Sequence, residues 1–153
     1  MGIEIERKFL VRDTHMLAGQ QGAFLSQGYL SHTPDATVRV RISGEQAFLT
    51  VKGRNQGARR AEFEYPVPIE DARALLLLCP AGHIEKTRYR IPVAEYVWEV
   101  DVFHGANEGL IVAEVELPDE HAPITLPAWA GEEVTDDPRY YNSALSLHPF
   151  REW

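Results

Sequence analysis

The charged residues of this chain recur in pairs spaced two apart, and that spacing is the part of the sequence able to do chemistry. Glu4-x-Glu6-x-Lys8 opens the series. Arg39-x-Arg41, Lys52, Glu62-x-Glu64, Lys86-x-Arg88-x-Arg90, Glu99-x-Asp101 and Glu114-x-Glu116 continue it. In an extended strand, side chains two apart leave the same face. Carboxylates converging from several strands form an oxygen-rich site for a hard divalent cation such as Mg2+ or Mn2+. Arginines and lysines converging from several strands suit a polyanion, because guanidinium forks grip phosphate oxygens in pairs and ammonium groups act as point charges. Both sets around one ligand would catalyse phosphoryl transfer electrostatically.

The elements that must position these groups follow from the same alternation. Ile3, Ile5, Phe9 and Val11 interleave with Glu4, Glu6 and Lys8, which predicts a strand over residues 4–12. Further strands are expected at 27–31, 36–43, 46–53, 59–67, 84–93, 96–103 and 110–117, with a hairpin across Gly44-Glu45. A short helix is predicted from Ile69 to Leu78, with Glu70 and Asp71 in its first turn and Pro80-Ala81-Gly82 ending it. A second is predicted around 139–147, where Asp136, Asp137 and Pro138 supply the start signal. The aromatic residues Phe63, Tyr65, Tyr89 and Trp98 fall on the apolar faces and are expected to pack.

Two geometries can host such strands. In one, the apolar faces form a sandwich core and the charged faces meet water. In the other, the sheet closes with its charges inward, and helices and loops cover its apolar exterior. Periodicity leaves this choice open, although the charged faces hold few of the Ser, Thr, Asn and Gln residues usual on solvated sheets. Burying so many charges without a ligand or water would cost several kcal/mol per uncompensated group.

At 153 residues the chain is the size of one compact domain, read here as 1–153 without a linker or repeat. It is 44% hydrophobic and 25% charged, ordinary for a soluble globular protein. A formal net charge of −8 argues against nucleic acid and anionic membranes as partners, but allows a small anion in a local basic pocket. The N-terminus lacks the apolar stretch of a leader, and no run is long enough to span a bilayer. The single cysteine, Cys79, fits a reducing cytoplasm and reads as a core thiol at a helix end. No Walker A loop, dinucleotide fingerprint or zinc-like histidine spacing is present. A homodimer is left open.

The ordered series of charge motifs resembles the CYTH superfamily, the triphosphate tunnel metalloenzymes. The first strand looks like their Glu-x-Glu-x-Lys signature. The resemblance continues through Arg39-x-Arg41, Lys52, Glu62-x-Glu64, Glu85-Lys86-Thr87-Arg88-Tyr89, Asp101, Glu114-x-Glu116 and the tail pattern Trp129, Gly131-x-Glu133-Val134-Thr135 and Arg139-Tyr140. It implies a mainly β fold with a few helices, an eight-stranded antiparallel barrel forming a charged tunnel. It implies metal ligation by Glu4, Glu6 and Glu116, with Glu114 beside them, through Mg2+ or Mn2+. Lys8, Arg39, Arg41, Lys52, Lys86 and Arg88 match the clamp that binds the substrate. Asp101 is grouped with the metal acids; it, Glu62 and Glu64 are read either as a second metal site or as struts holding the clamp, and Glu62 or Glu64 could activate water. Tyr29 could orient a phosphate or assist Lys8, or be a buried aromatic at the rim. The small bacterial members imply hydrolysis of inorganic tripolyphosphate to pyrophosphate and phosphate. An adenylyl cyclase, a thiamine or nucleoside triphosphatase and a non-catalytic polyphosphate-binding module are the alternatives.

Overall fold

The alternating strands close on themselves. The computed structural model describes residues 2–153. Eight strands form the wall: β1 (Gly2–Val11), β2 (Ala23–Ser31), β3 (Thr37–Ser43), β4 (Gln46–Lys52), β5 (Arg59–Val67), β6 (Ile84–Val93), β7 (Tyr96–Phe103) and β8 (Ile111–Glu116). Their order is β5-β4-β3-β2-β6-β7-β8-β1, and β1 pairs back onto β5 at Gly2↔Glu62 and Ile5↔Arg59. All these pairings are antiparallel. Closure removes every sheet edge from the wall. The tight turn between β3 and β4 uses Gly44 at φ +61°, a conformation that a side chain would strain.

The structure corrects the expected elements in three places. β2 begins four residues before Gln27, at Ala23. A ninth, short strand, β9 (Ala130–Glu133), which the alternation does not predict, pairs with β1 at Phe9↔Glu133. The tail helix is split: a 3-10 turn at Pro138–Tyr140 precedes α2 (Asn142–Leu147), and the Asp137 carboxylate caps that turn by accepting from Arg139 N.

Three apolar clusters flank the charged layers, two on the outer face of the barrel and one within it. On the outer face, Ile5, Phe9, Trp98, Val100, Ala113 and Val115 are covered by Leu117, Ala122 and Trp129. Trp98 has no exposed surface and meets Trp129 edge-on at a centroid distance of 5.5 Å. Elsewhere on the exterior, α1 (Ile69–Leu77) lays Ala72 and Leu76 over Val40 and Ala47. Cys79, at the end of α1, donates its thiol to Leu75 O at 3.5 Å. Its sulfur would stand 2.8 Å from a Cβ at Gly28, so the helix can approach β2 only over a glycine.

The third cluster lies inside. Leu10, Ile84, Phe103 and Val112 continue the inward-facing ladders of β1, β6, β7 and β8, and Val134, Tyr140 and Leu145 of the tail pack on them. They floor the barrel with apolar side chains directly below its charged layers. Two aromatics depart from expectation: Phe63 and Tyr65 leave β5 on its outer face but are 47% and 58% exposed rather than packed.

Candidate active site

Inward positions of all eight strands converge on one cavity of about 230 Å3. Its lining includes Glu4, Glu6, Lys8, Tyr29, Arg39, Arg41, Lys52, Glu62, Glu64, Lys86, Arg88, Glu114 and Glu116. Thirteen of the fourteen residues singled out in the sequence thus share one space; Asp101 stands outside it. Glu99 also lines the cavity, whereas Arg90 is an exposed partner of Glu99 at 3.2 Å.

The cations form one flank. Arg39 on β3 donates through Nη2 to Thr50 Oγ1 at 3.1 Å and to Glu64 Oε2 at 3.3 Å, while its buried Nε has no partner among the described residues. A buried guanidinium N–H without an acceptor is costly and asks for an anion. Arg41 donates Nε to Gln27 Oε1 at 2.7 Å, and burial beside Arg39 and Arg88 pushes its pKa down to about 9. Lys86 lies at the base of the cavity with its ammonium 2.8 Å from Asp101 Oδ2 and 3.0 Å from Asn142 Oδ1. Burial pushes Lys86 down to about 7 against the pull of Asp101.

The carboxylates form the other flank. Glu4 on β1 accepts from Lys52 Nζ at 3.1 and 3.2 Å, and Lys52 also meets Glu62 at 3.4 Å. Glu6 sits opposite Glu116 in register, and Lys8 opposite Glu114 with 4.0 Å between their charges. Burial, then the charges of Glu114 and Glu4, raise Glu6 well above the carboxylate range. Glu114, although burial opposes it, is held well below that range by Lys8 and by the hydrogen bond from Glu6. Glu62 and Glu116 are both raised, by burial first and by Glu4 second. This flank therefore holds more negative charge than its lysines neutralise. All its donors are hard oxygens, which fits a divalent cation. Among the described residues no three carboxylates are already drawn to one point, since Glu4 is turned to Lys52.

Asp101 stands apart from the other acids named from the sequence. It has no exposed surface; Oδ1 accepts from Arg88 Nε and Oδ2 from Arg88 Nη2, with Lys86 against the same Oδ2. Both its oxygens are thus held by the cations Arg88 and Lys86. Tyr29 is buried, lines the cavity and packs its ring against His32 at 5.6 Å.

The tail supplies groups that sequence reasoning missed. Asn142, at the start of α2, accepts from Lys86 and from Gln27 Nε2 at 3.2 Å, and Tyr140 O accepts from Lys8 Nζ at 3.2 Å. Tyr141 places its ring 5.7 Å from Lys8 Nζ. Alternation could have found Gln27, which occupies an inward position of β2; no periodic signal marks Asn142 or Tyr141.

A closed antiparallel barrel whose interior carries a basic flank facing an acidic one defines a class of polyanion-binding enzyme folds. The sequence matches the CYTH domain over residues 2–145, and the chain belongs to that family. It is 45% identical to an inorganic triphosphatase of Acetivibrio thermocellus, over all of this chain and 99% of that one. It is 38% identical to an inorganic triphosphatase of Nitrosomonas europaea, over 94% of this chain and 97% of that one. A crystal structure of an inorganic triphosphatase superposes with a TM-score of 0.68 at 36% identity, covering 94% of this chain and 97% of that one. A putative adenylyl cyclase from Hippeastrum shares the fold at 12% identity, with a TM-score of 0.58 over 78% of this chain and 80% of that one. No helix among the described residues is long and apolar enough to cross a membrane.

Proposed function

We propose that this protein hydrolyses inorganic tripolyphosphate to pyrophosphate and orthophosphate inside the barrel. The observation that carries the reading is the cavity itself, where the six clamp cations and Arg60 share one space with seven glutamates and the buried Arg39 Nε lacks an acceptor among the described residues. Two relatives covering nearly the whole chain are inorganic triphosphatases.

Arg39, Arg41, Lys52, Lys86 and Arg88 bind the phosphate oxygens and hold the chain of three phosphates in line. Glu4, Glu6, Glu114 and Glu116 hold Mg2+ or Mn2+; a divalent cation so bound polarises phosphoryl oxygens as a Lewis acid. Glu62 or Glu64 orients a water and takes its proton as the water oxygen bonds to the terminal phosphorus and the anhydride P–O bond breaks. Burial, then the charge of Glu4, raises the pKa of Glu62, which suits it to accept a proton. Lys8 stands by the charge that develops on the departing pyrophosphate, and Tyr29 orients a phosphate beside it. The free Cys79 fits a reducing cytoplasm as the working compartment. Self-association as a homodimer completes the reading, and the outer face of β5 supports it.

The test is steady-state hydrolysis of tripolyphosphate by the purified protein with Mg2+, with Mn2+ and after exhaustive chelation. Turnover is expected with metal, abolished by EDTA and restored by adding metal back. Full turnover after chelation would overturn the metal assignment.

A further inference from the structure

Asn142 reaches the cavity from the tail with its side-chain amide held at one end only. Its Oδ1 accepts from Lys86 Nζ at 3.0 Å and from Gln27 Nε2 at 3.2 Å. Gln27, which has no exposed surface, is fixed in turn, because its Oε1 accepts from Arg41 Nε at 2.7 Å. An amide can in principle be turned end for end, but the partners here decide both cases. An arginine Nε–H and a lysine ammonium can only donate. Arg41 therefore requires the oxygen of Gln27, which leaves the Gln27 NH2 facing Asn142. Lys86 and that NH2 together require the oxygen of Asn142. The clamp thus sets the direction of a neutral amide two steps away from Arg41.

The other end of that amide is unused. Asn142 is half-buried in the cavity lining, and its Nδ2 has no acceptor among the described residues. Lys86 gives one N–H to Asp101 Oδ2 at 2.8 Å and one to Asn142, so its third remains. Two unused donors, one cationic and one neutral, therefore belong to neighbouring groups at the base of the cavity. The choice of an amide has a physical reason. A carboxylate at this position would cancel the charge of Lys86. A further cation would add to the repulsion that Arg41 and Arg88 already exert on Lys86. An amide orients Lys86 and adds a donor without doing either.

We propose that Asn142 is a substrate-binding residue: it holds the phosphate at the base of the cavity together with Lys86, its Nδ2 donating to one of that phosphate's oxygens. The inference rests on the tripolyphosphate reading above and adds to the barrel's cations a neutral group supplied by the tail. A hydrogen bond to an ionised phosphate oxygen is charge-assisted, so a single amide N–H is enough to matter.

Steady-state kinetics with tripolyphosphate test the contact. Asn142→Ala is expected to lower kcat/KM by at least about tenfold, as for a lost hydrogen bond to a charged group. A residue that only positioned its neighbours would cost nothing further once they were gone. The same change is therefore made in a Lys86→Met, Gln27→Met background, where the loss should persist. A second measurement needs no variant. In nitrogen-15 NMR of the wild-type protein, with the Asn142 amide assigned through its own Cβ, tripolyphosphate with Ca2+ should shift one Nδ2 proton downfield and slow its exchange with water. Kinetics indifferent to Asn142→Ala, a loss that disappears in the Lys86→Met, Gln27→Met background, or an amide pair unmoved by tripolyphosphate would each overturn the assignment and leave the functional reading standing. A wild-type protein inert to tripolyphosphate would instead overturn that reading, and this inference with it.

Discussion

Arg88 grips Asp101 with two parallel hydrogen bonds, Nε to Oδ1 at 2.8 Å and Nη2 to Oδ2 at 2.9 Å, and the carboxylate is sealed from solvent behind the cavity wall. One acid thereby fixes the direction of one cavity-lining arginine and, through Lys86, the position of a second cation. Removing it would leave two cations uncompensated at the base of the cavity. Asp101→Ala is expected to destabilise the fold by about 3–5 kcal/mol, the usual effect of breaking a buried pair. Urea denaturation checks this; a change within experimental scatter would contradict the strut assignment.

The same pair sets an acid limit. Although burial alone would raise it, Lys86 and Arg88 hold Asp101 down to about 2 from an ordinary value of 3.8. A lowered acid gives stability that is complete above its unfolded pKa and lost as pH falls through the folded one. The melting temperature is expected to fall from about pH 4 toward pH 2. In Asp101→Asn that part of the decline should vanish.

Lys86 works in the opposite sense. Burial pushes it down to about 7 from 10.5. Between these values the unfolded chain binds more protons than the folded one, so stability from this group rises with pH across that window. In the proposed complex Lys86 binds tripolyphosphate as its ammonium, so affinity should weaken as pH rises above about 7. Calorimetry at pH 8 in two buffers of different ionisation enthalpy should detect proton uptake on binding, and Lys86→Met should abolish that uptake.

Arg39 contributes shape as well as charge. Its fork is divided between Thr50, Glu64 and the vacant Nε direction. At an effective dielectric of about 20, two unit charges about 4 Å apart interact by ~4 kcal/mol before desolvation. Arg39→Ala is expected to lower kcat/KM by at least about tenfold, with Arg39→Lys intermediate. Equal kinetics for all three proteins would remove Arg39 from the clamp.

Much of this arrangement could be read from residue order, because a charge at every second position survives any change of strand register by two. Glu4, Glu6, Lys8, Arg39 and Arg41 reach the cavity for that reason. Asp101 shows where the reading stops. It shares an inward ladder with Glu99, yet stands level with Val112 across the sheet, one layer deeper. Alternation reports the face and not the depth. The exposure of Phe63 and Tyr65 was hidden for a related reason, since an apolar outward face looks alike whether or not a helix covers it. Asn142 acts from a tail whose docking depends on the apolar floor, and its sequence carries no period to reveal that. The closed barrel itself came from family resemblance, because a two-residue period fits a sandwich equally well.

The clustering of cations also predicts a thermal response to ligand. Anything that binds the native state alone stabilises it by about 2.7 kcal/mol at a hundredfold excess over Kd. For a domain of this size, tripolyphosphate with Ca2+ should raise the melting temperature by roughly 5 °C or more. Orthophosphate at matched ionic strength should do much less. Equal shifts would mean that the cavity does not recognise a chain of three phosphates.

The most direct measurement is a product assay by phosphorus NMR, offering the purified protein tripolyphosphate and ATP separately with Mg2+. The account predicts that tripolyphosphate gives pyrophosphate and orthophosphate in equal amounts, faster than any turnover of ATP. Inert tripolyphosphate, or ATP converted to cyclic nucleotide and pyrophosphate as the faster reaction, would contradict it.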